Sequence, residues 1–260
     1  MNEPVVLSRE GAVAELILNR PERRNALDAA AVEAFAAALK ELEADPPRAL
    51  LVRGEGKSFC AGRDLSGAEP LTEDAEAILR DELNPLVARL AALPVPTVAA
   101  VQGAALGTGL GLALACDLAL VGETARVGSP FAGIGAVLDS GAHHFLCSRI
   151  GPHRTLELVY TGRLLRGAEA VAWGIANQVH PDDSLLDAAR KLVATIAAGP
   201  TLAFRASKEI VRGITTGDLA GLAAVLAAEA QAQGAAARSH DYAEGITAFQ
   251  EKRSPSFGGT

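Results

Sequence analysis

The chain has 260 residues, 49% hydrophobic, 21% charged and 4% aromatic, with 53 Ala and 26 Gly, which rules out a disordered or collagen-like chain and suits one large aliphatic core. A net charge of -7 argues against a nucleic-acid or anionic-membrane binder, because a phosphate surface demands a concentrated basic face. Cys60, Cys116 and Cys147 are odd in number and form no CxxC pair, so neither a disulfide framework nor a zinc site is suggested, and a reducing cytoplasm fits best.

The first twenty residues read as a β-hairpin, Val5 to Ser8 and Ala12 to Asn19 around a Glu10-Gly11 turn, and carry no secretory signal pattern. Asp28 is placed as N-cap of a helix through about Ala44, with Val32, Phe35, Ala36, Leu39 and Leu42 on one stripe and Pro46-Pro47 as its stop. A short buried strand, Ala49 to Arg53, leads into a Gly-rich loop, Gly54 to Gly67, of the kind that carries sites. Thr72 to Leu93 reads as a helix kinked at Pro85, Val95 to Val101 as a strand, and a helix should begin near Gly109.

Leu118 to Val121 is a further strand, Ser129 to Asp139 a loop and Ser140 to Ile150 a helix. The rest is nearly all helical pattern: 154–160, 168–173, 184–198, 201–212, 218–237 and 241–251. Strands early and helices late predict an α/β core over residues 1–199 and a helical part over 200–260, divided near Gly199-Pro200. The uncharged run Val98 to Cys116 is long enough to span a membrane, but its four glycines and missing aromatic belt favour a buried strand running into a buried helix.

Three tempting motifs fail. Gly54 to Ser58 lacks the upstream Gly of a P-loop, and Gly107 to Gly111 brings its third Gly one residue too early for a dinucleotide fingerprint. His143-His144 has no second ligand cluster.

Four blocks, in order, carry a resemblance along the whole chain: Leu18-Asn-Arg-Pro-Glu-Arg-Arg-Asn-Ala-Leu27; Ser58-Phe-Cys-Ala-Gly-Arg-Asp-Leu65; the Gly-rich run from Val101-Gln-Gly through Cys116-Asp117; and Ala248-Phe-Gln-Glu-Lys-Arg253. Together they resemble the enoyl-CoA hydratase/isomerase, or crotonase, family. The resemblance implies an α/β, crotonase-type (ClpP/crotonase-like) spiral of ββα units with a helical C-terminal region. It also implies an acyl-CoA thioester substrate in fatty-acid or aromatic-acid catabolism, and a homotrimer or hexamer. No metal or redox cofactor is implied, because coenzyme A arrives as part of the substrate.

An acyl thioester that loses an α-proton becomes an enolate, and its oxygen needs preorganised donors. By resemblance those donors are the backbone N–H groups of Arg63 and Thr108, although the family usually has a small or apolar residue and Gly there. The CoA portion is expected on Arg23, Arg24, Ala61, Asp64 and Leu65, with Phe249 and Lys252 supplied by a neighbouring subunit. Without the family, the arginines and Lys252 read as solvated surface charge. The acyl pocket is expected between 72–93 and 129–145.

Family hydratases use two glutamates, whose slots fall here on Gly111 and Phe131, and neither residue can move a proton. The loop Gly135 to Gly141 is similar instead to that of family isomerases, in which a single Asp shuttles a proton. Asp139 is therefore the candidate base, with N-cap of the following helix as its structural alternative and His144 as a second proton carrier. Arg63 could turn inward onto Asp139 and depress its pKa, or outward to a CoA phosphate. An isomerase-type double-bond shift leads. A hydratase and a non-catalytic acyl-CoA-binding protein are the alternatives.

Overall fold

The computed structural model describes residues 3–68 and 72–260. The hairpin forms as expected: β1 (Val5–Glu10) pairs antiparallel with β2 (Val13–Leu18), turning at Gly11 with φ 56°. α1 (Ala29–Ala44) starts where Asp28 accepts the Ala31 amide at 2.9 Å, satisfying one of the N–H groups a helix start leaves open. β3 (Ala49–Gly54) pairs parallel with β2.

The next helical stretch starts at Ala75, later than the expected Thr72, with Asp74 accepting the Ala77 amide as its N-cap. α2 (Ala75–Ala77) runs through a π-helical segment, Ile78–Leu83, into α3 (Asn84–Ala92). Pro85 has no N–H to continue an α ladder and its ring crowds the preceding turn, so the wider turn stands just before it.

Beyond it come β4 (Thr97–Val101), β5 (Ala104–Leu106), α4 (Thr108–Ala115), β6 (Leu118–Gly122) and β7 (Arg126–Gly128). α5 (Ala142–Thr161) is broken at Gly151, with φ 75° and ψ 169° ahead of Pro152, so its two halves match the two helices expected there. The tract after it is less helical than expected. β8 (Leu165–Arg166) precedes α6 (Gly167–Trp173), and β9 (Gln178–His180) precedes α7 (Leu185–Ala197), α8 (Thr201–Thr216), α9 (Leu222–Ala236) and α10 (His240–Glu251).

The main sheet has six strands in the order β1-β2-β3-β4-β6-β9, parallel except for the hairpin, and β5-β7-β8 form a second, three-stranded sheet. Alternation along β3 sends Leu50 and Val52 into the core shared with Phe35 and Leu39 of α1 and Leu90 of α3. Ala49 and Leu51 go the other way, against Ala189 and Val193 of α7. The run Val98 to Cys116 divides into β4, β5 and α4, and among the described residues no helix is long and apolar enough to cross a membrane. The carboxyl ends of β3 and β4 open onto the two loops that build the site.

Candidate active site

The loop after β3 is stitched on both sides. Cys60 donates its amide to the Ala104 carbonyl (2.9 Å) and accepts from the Leu106 amide (3.0 Å), so it bonds to both neighbours of Ala105. On the other side Leu27 donates to the Gly62 carbonyl and accepts from the Asp64 amide, each at 2.8 Å, bracketing Arg63. In a parallel bridge of this kind the bracketed residue points its own N–H away from the partner strand. Among the described residues the Arg63 amide has no partner.

A second amide with no partner among the described residues lies close to this loop. Thr108 is the first residue of α4, where helix N–H groups lack intrahelical acceptors. A Cβ built on Gly62 would stand 3.5 Å from the Thr108 nitrogen and 2.7 Å from the Leu106 oxygen, so only glycine lets the two backbones approach this closely. Gly107 carries the demanding turn, with φ 53° and ψ -121°, which leaves the β-branched Thr108 inside the helix, where its restricted dihedrals cost little. The loop that carries the Arg63 amide therefore packs against the positive end of α4, where the Thr108 amide lies.

Asp139 lies on the turn into α5. It does not cap that helix: α5 begins at Ala142 rather than Ser140, Gly141 is its N-cap, and no side chain bonds to its first turn. Ser140 (φ 53°) and Gly141 (φ 74°) are both left-handed, which delays the helix by two residues. The carboxyl is half-buried, and its Oδ1 is buried with no hydrogen-bond partner. Burial holds the group above the ordinary carboxylate range, against smaller opposing pulls from a hydrogen bond with the Ser140 side chain and from the field of His143.

Arg63 takes neither orientation expected of it. Its guanidinium makes a bidentate pair with Glu73, Nη1 to Oε1 at 2.6 Å and Nη2 to Oε2 at 2.5 Å. Its charge is met there, so it neither depresses Asp139 nor stands free for a phosphate. Of the two adjacent histidines, the one whose charge reaches Asp139 is His143; His144 lines a separate cleft beside Phe145.

The two glutamate slots are filled. A Cβ at Gly111 would meet the Ser140 carbonyl oxygen at 2.4 Å and the Ser140 Cβ at 2.7 Å. The Phe131 ring lies over Gly107, 3.0 Å from where a Cβ would stand, and with Leu110, Leu138, Leu146 and Leu158 it lines a small apolar cavity of about 20 Å³.

The remaining expected residues are spread along the surface. Arg23 and Arg24 are exposed, and among the described residues neither guanidinium has a partner. Asp64 is engaged by Arg20 and by the Ser66 amide, while Ala61 is half-buried and Leu65 is 54% exposed. Phe249 is 83% exposed near the end of α10, and Lys252 is its exposed C-cap with φ 55°.

Arg20 was not among the expected residues, yet it joins Asp64, Asp28 and the Ala26 carbonyl and so ties the two loops together. Ser140 and Glu73 were missed as well, since their partners are met only in the folded chain.

Comparison with known proteins gives consistent results. The family model for enoyl-CoA hydratase/isomerase matches residues 8–260. The chain is 36% identical to the 1,2-epoxyphenylacetyl-CoA isomerase of Escherichia coli K12, with both chains fully covered. It is 35% identical to the 2,3-dehydroadipyl-CoA hydratase of the same organism over 98% of each chain. The crystal structure of an enoyl-CoA hydratase from Bacillus anthracis superposes with a TM-score of 0.90 at 30% identity, covering 99% of this chain and all of the other.

Proposed function

The chain belongs to the enoyl-CoA hydratase/isomerase family, and from that premise we propose that it shifts a double bond along the acyl chain of a CoA thioester, with Asp139 as the single base. In this scheme the Asp139 carboxylate removes a proton from the carbon next to the thioester carbonyl of a 3-enoyl substrate. The electron pair moves onto the thioester oxygen, where the Arg63 and Thr108 amides receive it. The resulting carboxylic acid returns the proton two carbons further on, giving the conjugated 2-enoyl product. Proton and electrons balance within the substrate and one carboxyl group, so the scheme calls on no metal or redox cofactor, and coenzyme A is part of the substrate.

The observation that carries this reading is the pairing of a half-buried, under-bonded Asp139 with a Gly111 packed directly on Ser140. Asp139 would be the one proton carrier in this reading, and the close packing of Gly111 on Ser140 speaks against a second at that slot. A general base works best with a pKa near the operating pH, and burial moves Asp139 in that direction. Exposed Arg23 and Arg24 suit the CoA phosphates. The outward apolar side chains of α8–α10, among them Val211, Ile214, Leu222, Leu226 and Phe249, suit contacts between subunits of a trimer or hexamer.

The test is a panel of 2-enoyl and 3-enoyl thioesters followed by mass spectrometry in heavy water. Deuterium uptake with isomerisation of the 3-enoyl member is expected, and Asp139→Asn should abolish it while acyl-CoA still binds. Hydration of a 2-enoyl thioester that survives Asp139→Asn would replace this reading with a hydratase. Binding with no turnover anywhere on the panel would replace it with a carrier.

A further inference from the structure

Resting on the expectation that Phe249 and Lys252 meet the CoA portion of the substrate, we propose that residues 253–260 form a strap that fixes α10 to the body of the protein. Asp241 and Arg48, which hold the strap from either side, are then positioning residues for the CoA contacts.

α10 needs such a fixture. Among the described residues no side chain beyond Ala197 belongs to either hydrophobic core, and of the 12 residues of α10 only Asp241 and Ala248 are buried. Most helices in a folded protein are held by an apolar face laid on the core, and α10 has no such seat. Phe249 and Lys252, at its far end, are exposed.

The strap runs back along the helix. Arg253 makes a bidentate pair with Glu244 at 2.6 and 2.8 Å, and the Ser256 amide donates to the same carboxylate at 2.8 Å. Nearer the start of α10, the Gly258 and Gly259 amides donate to the Asp241 carboxylate at 2.7 and 2.9 Å, and the Asp241 amide donates to the Thr260 carbonyl at 3.0 Å. Asp241 and Glu244 stand three residues apart on one helix face, so the strap is seated at two points. Asp241 is 3% exposed, and its charge is met by main-chain donors of the strap.

Arg48 ties the strap to the body. It stands directly before β3, and its own amide donates to the Ala12 carbonyl at 2.9 Å. Its guanidinium donates to the Phe257 carbonyl of the strap at 3.1 Å, and to the Gly199 carbonyl at 2.7 Å and Thr201 Oγ1 at 2.8 Å where α8 begins. One rigid fork of donors thus joins strap, helical region and sheet. Gly259, with φ 84°, passes close by: a Cβ there would stand 3.1 Å from both Arg48 Nε and Thr201 Oγ1.

The experiment is calorimetric titration of the full-length protein with hexanoyl-CoA and with hexanoyl-pantetheine, which lacks the nucleotide. In Asp241→Ala, hexanoyl-CoA should bind about tenfold more weakly, because side chains the strap no longer holds must be ordered on binding, while hexanoyl-pantetheine should bind as it does to the wild type. Gly259→Ala carries the same expectation and stands in should Asp241→Ala fail to fold, with folding checked by circular dichroism. The double variant Phe249→Ala/Lys252→Ala should show the same loss, and adding Asp241→Ala to it should cost hexanoyl-CoA nothing more. Unchanged hexanoyl-CoA affinity in a folded strap variant overturns the proposal, as do equal losses for both thioesters or a further loss in the triple variant. Wild-type affinity in Phe249→Ala/Lys252→Ala removes the expectation on which the proposal rests, whereas weak binding there with normal binding in the strap variants removes only the role of the strap.

Discussion

Gly111→Ala is a one-carbon perturbation of the contact on which the reading depends. In an open helix the change is favourable by about 0.5–1 kcal/mol, because glycine pays more backbone entropy than alanine. Inside α4 the new Cβ would lie 2.4 Å from the Ser140 oxygen, 2.7 Å from its Cβ and 3.3 Å from its carbonyl carbon. All three atoms belong to the backbone or to Cβ, so relief requires moving the Ser140 turn as a body. Overpacking of this kind costs about 1–3 kcal/mol, and losing the Ser140–Thr108 hydrogen bond adds about 1 kcal/mol. Set against the helix gain, the net destabilisation is about 2 kcal/mol, or about 4–8 °C in melting temperature for a chain of this size.

Circular-dichroism melts would measure it, with Gly234→Ala as the control: that glycine lies in α9 with nothing within 4 Å of its would-be Cβ, and its replacement should raise the melting temperature slightly. Displacing the Ser140 turn also moves Asp139, so isomerisation should fall at least about tenfold, in line with the sensitivity of proton transfer to small misplacements. A Gly111→Ala protein that melts at or above the wild-type temperature with full activity would falsify this account of the slot. Gly111→Glu begins with the same Cβ and should be less stable still, with no gain of hydration.

Asp139→Asn should lower turnover by about 10²–10⁴, the usual worth of a general base, with acyl-CoA affinity retained. It should also stabilise the fold. Burial raises the folded carboxyl above its unfolded value of about 3.9, so the native state binds more protons and stability falls as pH rises between those two values. The gain from Asn is therefore expected at pH 7 and absent near pH 4; equal gains at both would contradict the burial argument. For the same reason the acid limb of the wild-type rate should lie above the ordinary aspartate range. Arg20→Ala removes the bonds to Asp64, Asp28 and the Ala26 carbonyl, costing about 1–3 kcal/mol, and calorimetric titration should find weaker acyl-CoA binding. Replacing Arg23 and Arg24 with Glu should weaken CoA thioesters about tenfold at low salt, leave the melting temperature unchanged, and not affect pantetheine thioesters, which lack the nucleotide phosphates.

How much of this was legible depends on the range of the interaction involved. The hairpin, α1 with its Asp28 cap and the buried strand at Ala49 carry their signals within a few consecutive residues, and they fall within one or two residues of expectation. β5, β7, β8 and β9 are two or three residues long, too short for any period to show. Gln178-Val179-His180 becomes a strand because β6 offers an open edge, a fact of tertiary structure. Asp139 is singled out by its loop, but the reason it does not cap α5 is the left-handed pair Ser140 and Gly141, and a serine does not advertise that conformation. Glu73 and Ser140 become visible only when segments 10 and 32 residues apart close on each other.

The two departures from the family pattern, Arg63 and Thr108, follow a common logic. A hole made from main-chain N–H groups is fixed by the pairings around it, Leu27 with Gly62 and Asp64 on one side and Cys60 with Ala104 and Leu106 on the other, and none of these involves the side chain of a donor residue. The side chains at those positions are therefore free to take other partners without moving the amides. Arg63 uses that freedom on Glu73 and Thr108 on Ser140. What the site cannot tolerate is bulk where backbones meet. Gly62 against Leu106, Gly109 against Cys60 and Gly111 against Ser140 each leave less than 3 Å for an added carbon. On this reading the site depends more tightly on three close-packed glycines than on the side chains of Arg63 and Thr108.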